Sequence, residues 1–502
     1  MKRTLASLFG LVVTSALLTT ASSIAAAAPQ HIQIDTAASG TPFPHFWEKM
    51  FGSGRAILSL RDSYRKDLRE TKRVTDFAYV RPHGIFMDEV GVYGEDKAGN
   101  PIFNFSYVDQ IYDGMLEAGV RPFVELGFMP KKLAANATKY PFWYEPGVAP
   151  PKSWPKWEQL VEQFAKHLVE RYGIDEVSQW YFEVWNEPNI EFWAGEPKQA
   201  TYFELYDRSA QVLKKVSPRL RVGGPATAQA AWVDDFIKHT SAAKIPVDFV
   251  STHVYGNDSA ADVFHTKENI PRDKMVCRAV KKVHDQIAAS ANPQLPLIWS
   301  EFNASWKNEP EVTDTVFMGA WLADTVRQCD GMVDVMSYWT FSDVFEEQGV
   351  VQTPFYGGFG AIAAGSLKKA AFHAFDLLHR LGNVRLVQTA DNVLVTRRAD
   401  KTLVVAVWNL VLPGKHAPAK SVRLDLKGLT GPHSVSVWRI DEQHGDVLTA
   451  YRRMGAPRYP TRAQIAELQK STALQPPVVT QLNGALIDLV VPENGLQLIE
   501  VK

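Results

Sequence analysis

The feature of this chain that most constrains its fold is a regular alternation of strand-like and helix-like segments across residues 46–383. Short runs of apolar, β-branched and aromatic residues recur, and each is followed by a stretch with helical periodicity. Eight strand–helix units with a mean period of roughly 40 residues favour a closed (β/α)₈ barrel, because an open sheet of this size would leave exposed edges. The predicted strands lie at residues 47–52, 77–81, 121–126, 180–185, 220–224, 247–255, 296–302 and 333–341.

The pattern changes after residue 383. Short alternating runs separated by turn residues follow, with little helix apart from 461–470. This pattern predicts an antiparallel β-sandwich over residues 384–502, for which structural support is the default role and ligand binding the less favoured one. Within the N-terminal segment 29–45, Ile32-Gln33-Ile34 is predicted to add a strand to that sandwich. The predicted sandwich strands lie at 393–397, 403–408, 421–426, 434–440 and 485–490.

The N-terminus has the layout of a secretory signal peptide. Lys2 and Arg3 precede an apolar run from Leu5 to Leu18, and small residues continue to Ala28. The run is too short to span a bilayer comfortably. We therefore predict a leader at 1–28 and an exported protein, periplasmic or extracellular, without a membrane partner after cleavage. Retention of the leader as an anchor is the less favoured alternative.

Composition excludes several classes of partner. The formal net charge is −1, and Lys and Arg form no cluster interleaved with aromatic residues, so nucleic acid is not expected. The His and Cys residues show no metal-ligand spacing, and no metal or cofactor is predicted. Cys277 and Cys329, both in predicted helices, are compatible with a disulfide or with two buried thiols.

Two predicted strands end in a glutamate. The fourth strand leads into Trp185-Asn186-Glu187-Pro188-Asn189, where Pro188 ends the hydrogen-bonded ladder, and the seventh leads into Ser300-Glu301-Phe302-Asn303. Barrel enzymes carry their chemistry at the C-terminal ends of the strands. Considered by itself, the first motif fits a turn with an Asn cap and a solvated Glu as well as it fits an active site. The second motif favours a shared active site.

Two carboxyl groups at facing strand ends suggest glycoside hydrolysis. A separation of about 5 Å suits a retaining glycosidase, in which one carboxyl group protonates the leaving oxygen and the other attacks the anomeric carbon. The proton donor needs a raised pKa, which an enclosed site with nearby negative charge provides.

These motifs resemble the acid/base and nucleophile signatures of glycoside hydrolase family 39. The W-N-E-P motif is shared by many related barrel glycosidases and is therefore not specific to the family. Four other segments resemble family 39 β-xylosidases more specifically: Arg81 with His83-Gly84, the turn 127–130, the segment 341–347 and the glycine-rich segment 354–360. The resemblance covers 46–381, and a trailing sandwich also suits the family.

The resemblance implies roles for individual residues. Glu187 is expected to be the acid/base, Glu301 the nucleophile and Asn186 the partner of the sugar 2-hydroxyl. Arg81 is predicted to pair with Glu301 rather than to bind substrate. The complete set of expected substrate-binding residues is His83, Asn186, His253, Tyr255, Trp339 and Glu346.

Each of these residues also has a structural interpretation. His83 fits a turn histidine and Trp339 fits the core. One of His253 and Tyr255 is a candidate for orienting Glu301 only. Glu346 and the adjacent Glu347 fit a solvated acidic pair.

The expected function is that of an exported retaining exo-glycosidase that releases β-linked xylose from the non-reducing end of xylo-oligosaccharides. One alternative is a retaining enzyme for another pentose, a uronide or an exopolysaccharide, as in the related α-L-iduronidases. Trp306 and Lys307 depart from the plain xylosidase pattern and are compatible with specificity for another sugar, or for a branched or charged one. Glu346 would repel a uronate, and Lys307 would offset that repulsion, so both possibilities stay open. A carbohydrate-binding protein without catalysis is a further alternative. The sequence does not indicate an oligomeric state.

Overall fold

The computed structural model describes residues 28–471 and 473–502, and the predicted leader lies outside them except for Ala28. Eight parallel strands form a closed barrel in which the last strand pairs with the first, Ser337 beside Met50. This confirms the predicted (β/α)₈ barrel. The barrel strands are β1 Met50–Arg55, β2 Tyr79–His83, β3 Arg121–Glu125, β4 Tyr181–Glu183, β5 Arg221–Thr227, β6 Phe249–His253, β7 Leu297–Phe302 and β8 Val335–Tyr338.

The barrel interior is apolar where the strands begin. Met50, Phe123, Phe249, Ile298 and Val335 form one buried cluster, and each lies at or near the start of its strand. This layer fills the N-terminal half of the barrel with side chains, as in other barrels of this type. Buried charged residues such as Glu125, Glu183 and Glu301 lie towards the opposite, C-terminal ends of their strands.

A ring of helices covers the barrel, and each helix turns an apolar face towards the strands. Asp62–Val74, for example, buries Tyr64, Leu68 and Val74 with helical spacing. None of the helices among the described residues is both long and apolar enough to cross a membrane. The eight barrel helices are Asp62–Val74, Ser106–Glu117, Trp154–Tyr172, Lys198–Val216, Val233–Ala243, Arg272–Ala288, Phe317–Cys329 and Ala370–His379.

Shorter elements lie between the barrel units and after them. The short helices are Ala56–Leu60, Ile174–Val177, Ala228–Ala230, Ala260–Phe264, Pro310–Thr313, Val447–Arg453 and Arg462–Ser471. Two small hairpins pair Tyr93–Glu95 with Pro101–Phe103 and Ile362–Ala363 with Leu367–Lys368.

The C-terminal region contains two sheets that enclose a second apolar core. The smaller sheet pairs the N-terminal strand Gln30–Asp35 in parallel with Lys420–Lys427, which pairs in turn with Leu486–Val491. Buried Ile34, Leu424 and Val405 belong to the core between the sheets. The larger sheet contains, in spatial order, Thr41–Pro42, Val384–Leu386, Val393–Arg397, Leu403–Trp408, Leu496–Val501, His433–Ile440 and Val478–Leu482.

The larger sheet packs against the barrel. Its strands contact the helices Phe317–Cys329 and Ala370–His379. Trp408 and Leu498 are buried in the same apolar cluster as the barrel helices. The barrel and the larger sheet therefore share one hydrophobic core.

A disulfide joins Cys277 to Cys329, which decides between the two states that the sequence left open. It links the helices Arg272–Ala288 and Phe317–Cys329, which precede and follow β7.

Candidate active site

A cavity of about 370 Å³ opens at the C-terminal ends of the barrel strands. Seven residues singled out from the sequence line it: His83, Asn186, Glu187, His253, Tyr255, Glu301 and Trp339. The other lining residues were not predicted to bind substrate: Tyr140, Phe142, Ile190, Phe192, Ala228, Gln229, Asp258, Trp306, Glu347, Gln348 and Phe359.

The turn after β4 places Glu187 in this cavity. Trp185 and Glu187 adopt left-handed backbone angles, with φ of 74° and 44°, which non-glycine residues adopt only when the surrounding structure holds them. The Glu187 amide donates to Ala226 O at 2.7 Å. Asn189 exchanges side-chain hydrogen bonds with the backbone of Ala228 at 2.8 and 3.0 Å. The turn is thus fixed to the end of β5.

The carboxyl groups of Glu187 and Glu301 meet across the cavity. One oxygen of each lies within 4.8 Å of the other and of a ring nitrogen of His253. Inverting glycosidases keep their carboxyl groups about 6.5 to 9.5 Å apart to admit a water, whereas retaining enzymes hold them near 5 Å. The separation here matches the retaining arrangement.

Hydrogen-bond donors surround Glu301. Arg81 Nη1 donates to Oε1 at 2.6 Å and the Tyr255 hydroxyl donates to Oε2 at 2.5 Å. The predicted Arg81–Glu301 pair is therefore present. Burial raises the pKa of Glu301, but the positive charges of Arg81 and His83 and the Tyr255 hydrogen bond oppose that rise.

Glu187 has a different environment. Among the described residues, its carboxyl group has one hydrogen-bond partner, His253 Nδ1 at 3.0 Å. Burial, followed by the negative charges of Glu301 and Asp258, raises its pKa well above the ordinary value. Of the two carboxyl groups, Glu187 is therefore better suited to keep a proton at neutral pH.

Arg81 donates hydrogen bonds to residues of β4, of the turn that follows it and of β7. It is fully buried, and its Nε donates to Glu183 at 2.6 Å. Its Nη2 donates to Asn186 Oδ1 at 2.9 Å, which orients that amide so that the NH₂ group lies on the other side and is available to a ligand.

His83 is held by a buried acid that the sequence did not reveal. Its Nδ1 lies 2.6 Å from Glu125 Oε2, at the end of β3. Burial raises the pKa of Glu125, but His83 and Arg81 outweigh it and hold that pKa below the usual range. The rings of His83 and Trp339 lie 4.7 Å apart. Gly52 permits this placement, since a Cβ there would lie 2.1 Å from the Trp339 ring.

The prediction for Glu346 requires correction. Its carboxylate is paired with Arg55 and, at 2.6 Å, with Arg61, and it does not line the cavity. The neighbouring Glu347 lines it instead. Burial, together with the charge of Glu301, raises the pKa of Glu347 well above its ordinary value. Glu346 is thus a structural partner of two arginines, and Glu347 faces the ligand space.

The glycine-rich segment 354–360 forms a wall of the cavity through Phe359. Buried Lys369 anchors it by donating to Gly358 O at 2.8 Å and by pairing with Asp314 at 2.7 Å and Asp343 at 2.8 Å. A Cβ on Gly358 would lie 2.4 Å from the Asp343 carboxylate, so only glycine fits.

Among the described residues, two clusters each bring three potential metal ligands together. Glu187, His253 and Glu301 form one of them within the cavity. The other, outside it, combines Glu48 with His45 and His379. Both ring Nδ1 atoms hydrogen-bond Glu48, at 2.6 Å from His45 and at 2.8 and 3.0 Å from His379. The Glu48 carboxylate is therefore already hydrogen-bonded by both imidazole rings.

The barrel holds two close glutamates, Glu187 in the turn after β4 and Glu301 in β7. Hydrogen-bond donors surround Glu301, whereas the described residues give Glu187 one hydrogen-bond partner. This arrangement defines a glycoside hydrolase of the carboxylate-pair type. Comparison with known proteins identifies its family. The model of glycosyl hydrolases family 39 matches residues 30–484. The chain belongs to glycoside hydrolase family 39, which confirms the resemblance of its strand-end motifs.

Individual relatives agree with this assignment. A β-xylosidase from Geobacillus stearothermophilus is 36% identical over 475 residues, 92% of this chain and 93% of the relative. A crystal structure of a monomeric β-xylosidase from Caulobacter crescentus CB15 superimposes with a TM-score of 0.86 at 33% identity, covering 94% of this chain and 99% of that chain. An α-L-iduronidase from Canis lupus familiaris is 25% identical over 283 residues, 52% of this chain and 41% of the relative.

Proposed function

We propose that this glycoside hydrolase is a retaining exo-β-xylosidase that releases xylose from the non-reducing end of xylo-oligosaccharides. The observation that carries the proposal is the approach of Glu187 and Glu301 to within 4.8 Å, in environments that favour a protonated Glu187 and an ionised Glu301.

In the first step, the Glu301 carboxylate attacks the anomeric carbon while the Glu187 carboxylic acid gives its proton to the departing glycosidic oxygen. A covalent glycosyl ester forms on Glu301 and the aglycone leaves as an alcohol. The NH₂ group of Asn186 is placed to donate to the 2-hydroxyl, an interaction that strengthens as positive charge develops on the ring.

In the second step, the Glu187 carboxylate takes a proton from water, and the water oxygen attacks the anomeric carbon. The ester bond to Glu301 breaks, and both carboxyl groups return to their initial protonation states. Two displacements at one carbon restore the β configuration.

The walls of the cavity support a neutral sugar. The described lining contains four carboxyl groups, those of Glu187, Asp258, Glu301 and Glu347, but no lysine or arginine. A uronate would lie beside the ionised Glu301 without a lysine or arginine of the lining as its partner. Lys307, whose ammonium lies 4.8 Å from the centre of the Trp306 ring, is not among the lining residues.

The relatives support xylose as the sugar, since the β-xylosidases named above match more than nine tenths of this chain at 33 to 36% identity, whereas the iduronidase from Canis lupus familiaris matches about half of it at 25%. Hydrolysis rates on a panel of nitrophenyl β-xyloside, α-arabinoside, β-glucoside and α-iduronide test this choice. The xyloside should have the highest kcat/KM. A preferred iduronide would replace the substrate proposal, and binding without turnover would favour the non-catalytic alternative.

The nucleophile is tested by azide rescue. Glu301→Ala should lower kcat by about 10⁵-fold or more, because the covalent step is lost. Azide should restore turnover of an activated β-xyloside and give the α-xylosyl azide, since a single displacement inverts the carbon. A β-azide from this variant would remove Glu301 from the nucleophile role.

The acid is tested by the dependence on the leaving group. Glu187→Ala should spare dinitrophenyl xyloside in the first step but lose about 10²- to 10⁴-fold on xylobiose, whose leaving group needs a proton. Azide should here yield the β-xylosyl azide, the opposite anomer to that from Glu301→Ala. Equal losses on both substrates would remove Glu187 from the acid role.

Export is also proposed, on the basis of the leader-like residues 1–28. N-terminal sequencing of the protein recovered outside the cytoplasm should begin near Ala28 or Pro29. An intact Met1 on the exported protein would indicate an uncleaved anchor.

A further inference from the structure

His253 lies between the candidate acid and a buried hydrogen-bond chain. Its Nδ1 is 3.0 Å from Glu187 Oε1, and its Nε2 is 3.0 Å from the hydroxyl of Ser300. His253 and Ser300 are both fully buried at the ends of β6 and β7. Which ring nitrogen carries the proton therefore decides whether Glu187 receives a hydrogen bond or gives one.

The hydroxyl proton of Ser300 points to Glu183 and not to His253. Ser300 Oγ donates to Glu183 Oε1 at 2.7 Å, and the other oxygen of Glu183 pairs with Arg81 at 2.6 Å. A carboxylate only accepts hydrogen bonds, so the single hydroxyl proton must point to Glu183. The contact between Ser300 and His253 can then be a hydrogen bond only if Nε2–H donates to Ser300.

His253 has only one ring proton to give. Burial, followed by the positive charges of Arg81 and His83, holds its pKa well below the ordinary value, so the imidazole is neutral. With the proton on Nε2, Nδ1 carries a lone pair and faces Glu187.

We propose that Glu183, Ser300 and Arg81 act as positioning residues that hold His253 as the Nε2–H tautomer, so that its Nδ1 accepts the hydrogen bond of the Glu187 carboxylic acid. The inference rests on the proposed acid role of Glu187 and extends it to residues that do not touch substrate.

This arrangement distinguishes the two states of Glu187. When Glu187 is protonated, it donates a hydrogen bond to the lone pair of His253 Nδ1. When Glu187 is ionised, it faces that lone pair without a donor, so the ionised form is less stable. Glu301 has the opposite arrangement, with donors from Arg81 and Tyr255. Among the other charged groups, Asp258, Glu301 and Glu347 raise the pKa of Glu187 and Arg81 lowers it. Tyr140 and Tyr255 also interact electrostatically with Glu187. The hydrogen-bond chain from His253 to Glu183 acts in the same direction as the three carboxyl groups.

A neutron crystal structure of the perdeuterated protein reads the tautomer directly. Deuterium should appear on His253 Nε2, on Ser300 Oγ pointing to Glu183, and on Glu187 pointing to Nδ1. Deuterium on Nδ1 of His253 would overturn the inference, whatever the activity of the enzyme.

Substitution of Ser300 tests the consequence for catalysis. In Ser300→Ala, Nε2 loses its acceptor and the Nδ1–H tautomer can donate to the Glu187 carboxylate, which lowers the pKa of Glu187. The alkaline limb of the kcat/KM profile should move to lower pH by about one unit, with the acid limb in place. Ser300→Thr keeps the hydroxyl and should restore the alkaline limb.

Ser337→Ala is the matched control, because Ser337 is a fully buried barrel serine whose hydroxyl has no hydrogen-bond partner among the described residues. Its profile should equal that of the wild type. An unmoved alkaline limb in Ser300→Ala would overturn the inference, and if that variant does not fold, the neutron structure decides. If Glu187→Ala loses equally on both leaving groups while deuterium lies on Nε2, the proposed function fails and the tautomer assignment stands.

Discussion

At the residue scale, two adjacent glutamates have opposite surroundings. Glu346 is 4% exposed and is bound by Arg55 and Arg61, whose charges hold its pKa below the usual range although burial opposes this. Glu347 faces the cavity near Glu301. One side chain stabilises the loop after β8, and the other is placed to accept a hydrogen bond from a sugar hydroxyl.

The pair provides its own matched control. Glu347→Ala should lower kcat/KM on nitrophenyl xyloside by about 2- to 10-fold, the value of one hydrogen bond to a neutral group, because the raised pKa favours the protonated carboxyl group. Stability should change little. Glu346→Ala should lower the free energy of unfolding by about 2 to 3 kcal/mol, because Arg55 loses a buried partner while Arg61 is half exposed. Urea unfolding and steady-state kinetics on both variants measure this, and a stronger kinetic loss in Glu346→Ala would contradict it.

Sequence reasoning placed Glu187 and Glu301 in one site because each follows a recognisable buried strand. It chose the wrong member of the pair 346–347, because β8 ends at Tyr338 and the chain beyond it has no period from which a side chain's direction follows. Glu125 and Glu183 were missed for a different reason. Both acids lie in strands and are visible in the sequence. Their partners come from β2, His83 for Glu125 and Arg81 for Glu183, and the sequence does not show these pairings.

At the element scale, the segment 354–360 depends on one buried cation. Lys369 holds two carboxylates and a carbonyl, and the same carboxylates accept from the amides of Gly357 and Gly360, both at 2.7 Å. The buried side chains of Phe355 and Phe359 pack in apolar clusters, and the backbone between them is fixed by charge.

Lys369→Met should remove about 3 to 5 kcal/mol from the free energy of unfolding, because Asp314 and Asp343 become buried without a counter-charge. Burial raises the pKa of Asp343 to about 6 even though Lys369 acts in the opposite direction. Without Lys369, the pKa of Asp343 should therefore be higher still. The carboxyl groups penalise folding where they are ionised, so the deficit should be larger at pH 8 than at pH 5.

Lys368→Met is the control for this prediction, since Lys368 is a partly exposed lysine that pairs with Glu70 and lies 4.9 Å from the centre of the Phe372 ring. It should lose less than about 1 kcal/mol, without a pH-dependent deficit. Urea unfolding at the two pH values measures both variants. An equal deficit in both would show that Lys369 does not neutralise the aspartates.

Most elements follow from hydrophobic periodicity, and the exceptions have physical causes. All eight barrel strands and helices were predicted, with ends that differ by a few residues. Val478–Leu482 was missed because it is an exposed edge strand without alternation. Leu496–Val501 was missed because it is buried on both faces. In the helix Val447–Arg453, the capping signal of Asp446, which accepts from Leu448 and Thr449 amides, was overlooked.

At the scale of the whole molecule, the disulfide Cys277–Cys329 closes a segment with a sequence separation of 52 residues that contains β7 and Glu301. Both cysteines lie on the outer helices, and neither lines the cavity.

The variant with both cysteines replaced by alanine should therefore lose up to about 4 kcal/mol of unfolding free energy, according to the chain-entropy model for a loop of this length. Its kcat at 25 °C should remain unchanged. Urea unfolding with and without reductant measures the effect, and the double variant, which is insensitive to reductant, is the control. Equal stability of oxidised and reduced wild type would contradict the prediction.

The pairing of Gln30–Asp35 with Lys420–Lys427 has a consequence for biosynthesis. A polypeptide emerging from the ribosome presents its first strand hundreds of residues before the partner exists, and closing so long a loop is slow. The strand must wait, unpaired, until nearly the whole chain has been translated. During that interval its backbone groups lack their partners, and the small sheet can be completed only once Leu486–Val491 has been translated.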